Sequence, residues 1–195
     1  MREISQIRKL SLWIFFLPLI AINVCLFIST NYHFFENTIM QVDQIGRTAF
    51  TIPYLDGGTS ISRVSRTFPQ YLIFKPSMIL TGFLLMYYWN YYNALINKLK
   101  NTENLKYRFR LFGILSAIFL IIHSIFLGIK FDFQLYKLFR RVILLFFIIF
   151  EIIAQGILVY HIYKIKNKVI EISNTRVLNL KIALVSLLAS VAILS

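Results

Sequence analysis

The apolar residues of this chain are gathered into long blocks that are separated by shorter basic and polar segments. A helix needs roughly 20 apolar residues to cross a bilayer core of about 30 Å. Four blocks reach that length, at residues 10–30, 71–96, 109–129 and 138–163. A fifth block, 177–195, is interrupted by Asn179 and Lys181. The pattern predicts one all-α domain over residues 1–195, a polytopic membrane protein with a bundle of about five transmembrane helices.

Composition narrows the class of protein further. Of 195 residues, 58% are apolar and 15% are charged. Soluble domains average about 45–50% apolar residues and about 25% charged residues. These values exclude a water-soluble fold and also disorder, which needs low hydrophobicity. The single cysteine, Cys25, excludes a disulfide framework. No phosphate-binding loop, dinucleotide fingerprint or metal-spaced histidine pair occurs in the sequence, so we expect no cofactor and no metal.

The net charge of +13 would suggest nucleic acid as a partner if the protein were soluble. Here the basic residues flank apolar blocks, so we expect membrane lipids with anionic headgroups instead. With a cytoplasmic N-terminus, 13 of the 21 lysines and arginines fall on the inner side, as the positive-inside rule requires. This orientation makes the long loop 31–70 extracytoplasmic and places the protein in a plasma or inner membrane.

The last third of that loop contains a pattern typical of phosphate binding. Asp56, Gly57 and Gly58 are followed by Arg63 and Arg66, and then by the start of the second helix. Adjacent glycines allow a ligand to approach the backbone closely, and arginine forks pair with phosphate oxygens. The alternative is a simple turn followed by arginines that are solvated in the headgroup layer.

Ionisable residues inside the blocks are costly in a membrane and are therefore candidates for function. Glu151 lies at the centre of the fourth block, and helical periodicity places it on one stripe with Arg140 and Gln155. Arg140 is about 16 Å away along the axis, so Glu151 needs a partner from another helix or carries a proton. Lys75, His123, Arg140 and Arg141 fall at similar depth beneath the loop.

Three of these residues also have purely structural interpretations. His123 and Glu151 could each form a hydrogen bond to a neighbouring helix, and Lys75 could extend its ammonium group to the membrane surface. If a reaction is catalysed, His123 is the candidate acid or base, because the pKa of an unperturbed histidine is near neutrality.

The junction between the loop and the second helix resembles that of the Frag1/DRAM/Sfk1 family of membrane proteins. The matching positions are Pro53, Tyr54, Leu55, Thr59, Pro69 and Phe74. The chain departs from the family pattern at Asp56, Gly57 and Gly58, and residues 60–67 are an addition that carries both arginines. The resemblance implies that the protein senses or acts on membrane lipids from the extracytoplasmic face.

The sequence therefore favours a membrane protein that binds, or helps to remodel, an anionic phospholipid headgroup from the extracytoplasmic side. Two alternatives stay open: a non-enzymatic membrane sensor or scaffold, and a small proton-coupled transporter that uses Glu151. A homo-oligomer or a membrane partner protein is compatible with each of them.

Overall fold

The computed structural model describes residues 2–42, 61–100, 107–129, 134–165 and 175–194. These ranges contain helices and no strands. The α-helices are α1 (Arg2–Thr30), α2 (Ile61–Val64), α3 (Tyr71–Lys100), α4 (Arg108–Phe126), α5 (Gln134–Lys164) and α6 (Thr175–Leu194), and a short 3-10 helix covers Tyr32–Phe35.

Four of these helices are long and apolar enough to cross a membrane: α1, α3, α4 and the part of α5 from Leu138 to Lys164. The protein is thus a helical, multi-pass membrane protein, as the apolar blocks predict. Three of the four, α1, α3 and α5, extend beyond their blocks; α1 for example begins at Arg2. Large apolar side chains on their outer faces are exposed, such as Phe15 (62%) and Leu111 (60%), as expected of surfaces that contact lipid.

The predicted fifth helix is present as α6. Its apolar stretch within the described residues, Asn179–Leu188, is shorter than the four long helices. A complete crossing of the membrane by α6 stays a prediction.

Successive long helices pack side by side. The most extensive packing joins α4 to α5, followed by α1 to α3 and then α3 to α4, while α6 contacts α5. Nζ of Lys98, near the end of α3, is 3.4 Å from Oε1 of Glu3 at the start of α1. We call this the N-terminal end of the bundle, and we call the opposite end, where α2 precedes α3, the α2 end.

The main core lies towards the N-terminal end and centres on the fully buried indole of Trp89. Trp89 packs with Phe109 of α4 and with Ala154 and Leu158 of α5. Its ring also lies directly against Gly113 of α4, so that a β-carbon at this position would overlap the indole. The missing side chain of Gly113 therefore allows α3 and α4 to approach closely.

A second core cluster lies at the α2 end and ties the end of the long loop to the bundle. Val64 of α2 is buried together with Cys25 and Leu26 of α1, Phe74 of α3 and Leu127 at the end of α4. Residues 61–70, which end the long loop, are thus packed on the helices, and we call this segment the cap. Residues 43–60, in the middle of the long loop, lie outside the described residues.

The contact between Trp89 and Gly113 yields a stability prediction. We expect Gly113→Ala to lower the free energy of unfolding by about 1–3 kcal/mol, because the new methyl group overpacks a buried ring. Thermal unfolding of the detergent-solubilised protein measures this effect. Gly156→Ala on α5 is the matched control, since a β-carbon there has open space around it; equal destabilisation by both variants would contradict the proposed packing.

Candidate functional site

A cavity of about 390 Å³ lies at the α2 end between the cap and helices α4 and α5. Its wall combines three guanidinium groups, an imidazole, a hydroxyl and two leucines. The lining residues are Ser62, Arg66, His123, Leu127, Arg140, Arg141 and Leu144.

The cap positions Arg66 over the end of α4. Burial of Val64 anchors the short helix α2, and the turn that follows is held by a hydrogen bond from the backbone N–H of Arg66 to the carbonyl of Arg63 (3.1 Å). Nε of Arg66 donates to the carbonyl of Ser62. Gly128 follows α4 with a φ of +82°, a left-handed conformation that favours glycine, and the backbone of Arg66 lies against it.

Below Arg66, the start of α5 contributes the other two guanidinium groups. The guanidinium of Arg140 lies over the ring of Tyr136, 5.2 Å from its centroid. The hydroxyl of Tyr136 donates to the carbonyl of Phe126 at the end of α4. This contact fixes the first turns of α5 against α4, so that Arg140 faces His123 of α4.

Two nitrogen atoms of the cavity residues are buried but unpartnered. Nδ1 of His123 and Nε of Arg140 form no hydrogen bond with any residue that the structure describes. A buried polar atom without a partner costs about 1–3 kcal/mol. These two nitrogen atoms are thus buried beside the cavity, next to positive charge, without a hydrogen-bond partner among the described residues.

Among the residues that the structure describes, no acidic side chain compensates the positive charge of the cavity. The described lining contains no acidic side chain, and the ion pairs within the described ranges, His33 with Glu36 and Lys98 with Glu3, lie elsewhere. Partial burial, together with repulsion from Arg140 and Arg63, lowers the pKa of Arg66 below its usual value. An anion in the cavity would relieve this repulsion and pair with the guanidinium groups.

The structure brings together only some of the predicted site residues. Arg66, His123, Arg140 and Arg141 share the cavity, whereas Arg63 is exposed and outside its lining. Lys75 is also outside the lining, because its ammonium donates to the carbonyl of Ile125 (3.3 Å) at the end of α4 and lies over the ring of Tyr71. The remaining predicted residues, Asp56, Gly57 and Gly58, lie outside the described residues.

Glu151 and Gln155 lie deeper and form a separate polar cluster. Nε2 of Gln155 donates to Oε1 of Glu151 (2.9 Å), and the hydroxyl of Ser116 on α4 donates to Oε2 (2.7 Å). The partner from another helix that Glu151 needs is thus Ser116. The sequence analysis did not predict this pairing of Ser116 with Glu151.

Sequence reasoning also missed three lining residues, Ser62, Leu127 and Leu144. Ser62 lies in the arginine-bearing segment, but a hydroxyl there gives no signal of its own. The two leucines are indistinguishable in sequence from their neighbours in apolar blocks. Only the packing of α4 against α5 shows that they border a cavity.

Comparison of the chain with protein-family models, curated proteins and solved structures finds no match. The resemblance to the Frag1/DRAM/Sfk1 family therefore depends on the junction residues alone and stays a prediction.

The uncompensated charge predicts stabilisation by phosphate. We expect inorganic phosphate to raise the melting temperature of the delipidated protein above its value in chloride at equal ionic strength. A phosphate concentration of ten times the dissociation constant would raise the free energy of unfolding by about 1.4 kcal/mol. Arg140→Gln should remove most of this difference.

Arg110→Gln is the control for this experiment. Arg110 is at the N-terminal end, where its Nε donates to Oδ1 of Asn90 (2.7 Å), so its loss should leave the phosphate effect intact. Equal melting temperatures of the wild-type protein in phosphate and in chloride would contradict an anion site.

Proposed function

We propose that the protein binds the headgroup of an anionic phospholipid in the cavity at the α2 end, from the extracytoplasmic side of the membrane. The observation that carries this proposal is the convergence of Arg66, Arg140 and Arg141 on one cavity without an acidic partner in its described lining. Cationic groups at membrane depth are retained where they pair with a counter-charge. A lipid phosphate would supply that charge.

The apolar part of the cavity supports a lipid rather than free phosphate. Leu127 and Leu144 line the cavity beside the arginines, and Leu144 is also partly exposed on the outer surface of α5. An amphiphile fits such a wall, because its phosphate would contact the guanidinium groups while its acyl chains follow apolar helix surfaces. Free phosphate would use only the polar part.

The proposed orientation follows from the distribution of basic residues. Most lysines and arginines lie in the segments at the N-terminal end, which the positive-inside rule assigns to the cytoplasm. The α2 end, with its cavity, then faces outward. We include in this proposal a fifth crossing by α6.

Within this site His123 is the acid–base candidate for lipid remodelling. It lines the cavity and carries the one imidazole among the described lining residues. Binding alone would make the protein a lipid sensor or a scaffold. The two possibilities share the same cavity and differ in whether the bound lipid is changed.

Lipid retention tests the proposal directly. Native mass spectrometry of the protein in nanodiscs of phosphatidylglycerol and phosphatidylcholine should show preferential retention of phosphatidylglycerol. We expect the double variant Arg66→Gln, Arg140→Gln to lose this preference, because both guanidinium groups that flank the phosphate are removed. Arg110→Gln should retain it. No preference in the wild-type protein, or the same preference in the double variant, would refute lipid binding at this cavity.

Membrane orientation is tested by labelling single cysteines in intact cells. In a Cys25→Ser background, we expect Arg63→Cys to react with a membrane-impermeant maleimide, since residue 63 is exposed at the α2 end. Lys98→Cys, exposed at the N-terminal end, should react only after the cells are permeabilised. The reverse pattern would place the cavity in the cytoplasm and overturn the extracytoplasmic part of the proposal.

A further inference from the structure

The polar cluster around Glu151 lies apart from the lipid cavity and has no part in the proposed lipid binding. Glu151 lies in the middle of the long apolar part of α5, and described residues of three other helices surround it. Ser116 of α4 and Gln155 of α5 are within hydrogen-bonding distance of its two carboxyl oxygens. Tyr88 of α3 and Lys181 of α6 interact with it electrostatically.

The hydroxyl of Ser116 lies between two oxygen atoms but has only one proton. It is 2.7 Å from Oε2 of Glu151 and 2.8 Å from the carbonyl of Gly113. When Glu151 is ionised, Ser116 donates to the carboxylate. When Glu151 carries a proton, its O–H can donate to Ser116, which then donates to Gly113. Both protonation states therefore satisfy the carboxyl group without movement of any heavy atom.

Among the described residues, no cation contacts Glu151. Neither ion pair of the described residues includes it, and the nearby ammonium of Lys181 contacts Tyr92 instead. Its Nζ is 3.3 Å from the hydroxyl of Tyr92 and lies over that ring. An ionisable group at this depth, held by neutral donors alone, can exchange its proton with modest structural cost.

Polar groups connect Glu151 with the N-terminal end of the bundle. Tyr88 interacts with Gln155 and with Tyr92, the rings of Tyr88 and Tyr92 are 4.8 Å apart, and Tyr92 contacts Lys181. Towards the α2 end, α4 and α5 offer no such groups between Glu151 and the cavity. Residues 117–122 of α4 and 142–150 of α5, which separate Glu151 from the cavity, are all apolar.

We propose that Glu151 and Ser116 form a reversible proton-binding site that is reached from the N-terminal end through Tyr88, Tyr92 and Lys181. Uptake transfers one proton from water at that end to Oε2 of Glu151, and release returns it by the same route. The net change is one O–H bond broken in hydronium and one formed on Glu151, while the N–H bond of Lys181 and the O–H bonds of the two tyrosines break and re-form along the route. The site is separate from the lipid cavity and does not depend on it.

Infrared difference spectroscopy of the full-length protein in nanodiscs tests this proposal. Between acidic and alkaline buffer we expect a band from a protonated carboxyl group that gains intensity as the pH falls. Glu151→Gln should abolish this band, while Glu3→Gln at the start of α1 should leave it. Absence of the band in the wild-type protein, or its persistence in Glu151→Gln, would overturn the proposal.

A second pair of variants keeps the test valid if Glu151→Gln fails to fold. Ser116→Ala should shift the frequency of the band, because the protonated carboxyl group loses its acceptor. Ser124→Ala is the matched control: Ser124 is also buried in α4 and donates to the carbonyl of Leu120 (2.8 Å), away from Glu151. Identical spectra for Ser116→Ala and the wild-type protein would refute the role of Ser116.

Hydrogen–deuterium exchange of the same band tests the route. We expect Tyr92→Phe to slow the exchange, because it removes the hydroxyl between Lys181 and Tyr88. Lys75→Gln, at the α2 end and outside the cavity lining, should leave the rate unchanged. Slower exchange in Lys75→Gln alone would show that protons enter from the α2 end instead, and would overturn the proposed access.

Discussion

The cost of an unpaired charge in an apolar medium is the constraint on which this structure depends. The long helices supply few polar atoms, so each ionisable side chain inside the bundle must find a neutral donor, a counter-charge or a ligand. Lys75 satisfies the constraint at the carbonyl of Ile125, and Glu151 does so with Ser116 and Gln155. The arginines of the cavity find no acidic partner in its described lining, and this difference is the physical basis for expecting a ligand there.

Both polar sites depend on the register of α4 against its neighbours. Gly113 lets α3 approach α4 through Trp89, and on the same stretch of α4 Ser116 points to Glu151 of α5. Seven residues later His123 lies at the cavity with Arg140, two helical turns from Ser116. A shift of α4 by one turn would therefore disturb the carboxyl cluster and the cavity together, although no polar contact between described residues links them.

The sequence was sufficient to predict the four long helices, because a helix that crosses a membrane needs a long run of apolar residues, and such a run can be counted along the chain. It also placed Glu151 and Gln155 on one face, since helical spacing alone determines that. It could not distinguish Arg66 from Arg63, because their difference arises from the burial of Val64 between them and the turn after α2. The pairing of Ser116 with Glu151 depends on how α4 and α5 are rotated relative to each other. The periodicity of a single sequence does not determine that rotation.

The apolar segment between the two sites decides how they could influence each other. Residues 117–122 and 142–150 offer no polar group that could carry a proton from the cavity to Glu151, so direct proton transfer between the sites is excluded along these two helices. Coupling would have to be mechanical, through the packing of α4 on α5, where the rings of Phe119, Phe146 and Phe150 contact one another. A lipid that draws Arg140 towards its phosphate would act on the helix that carries Glu151. Any effect of the lipid on the proton site would then appear as a change in helix position, with the polar contacts of Glu151 responding to that change.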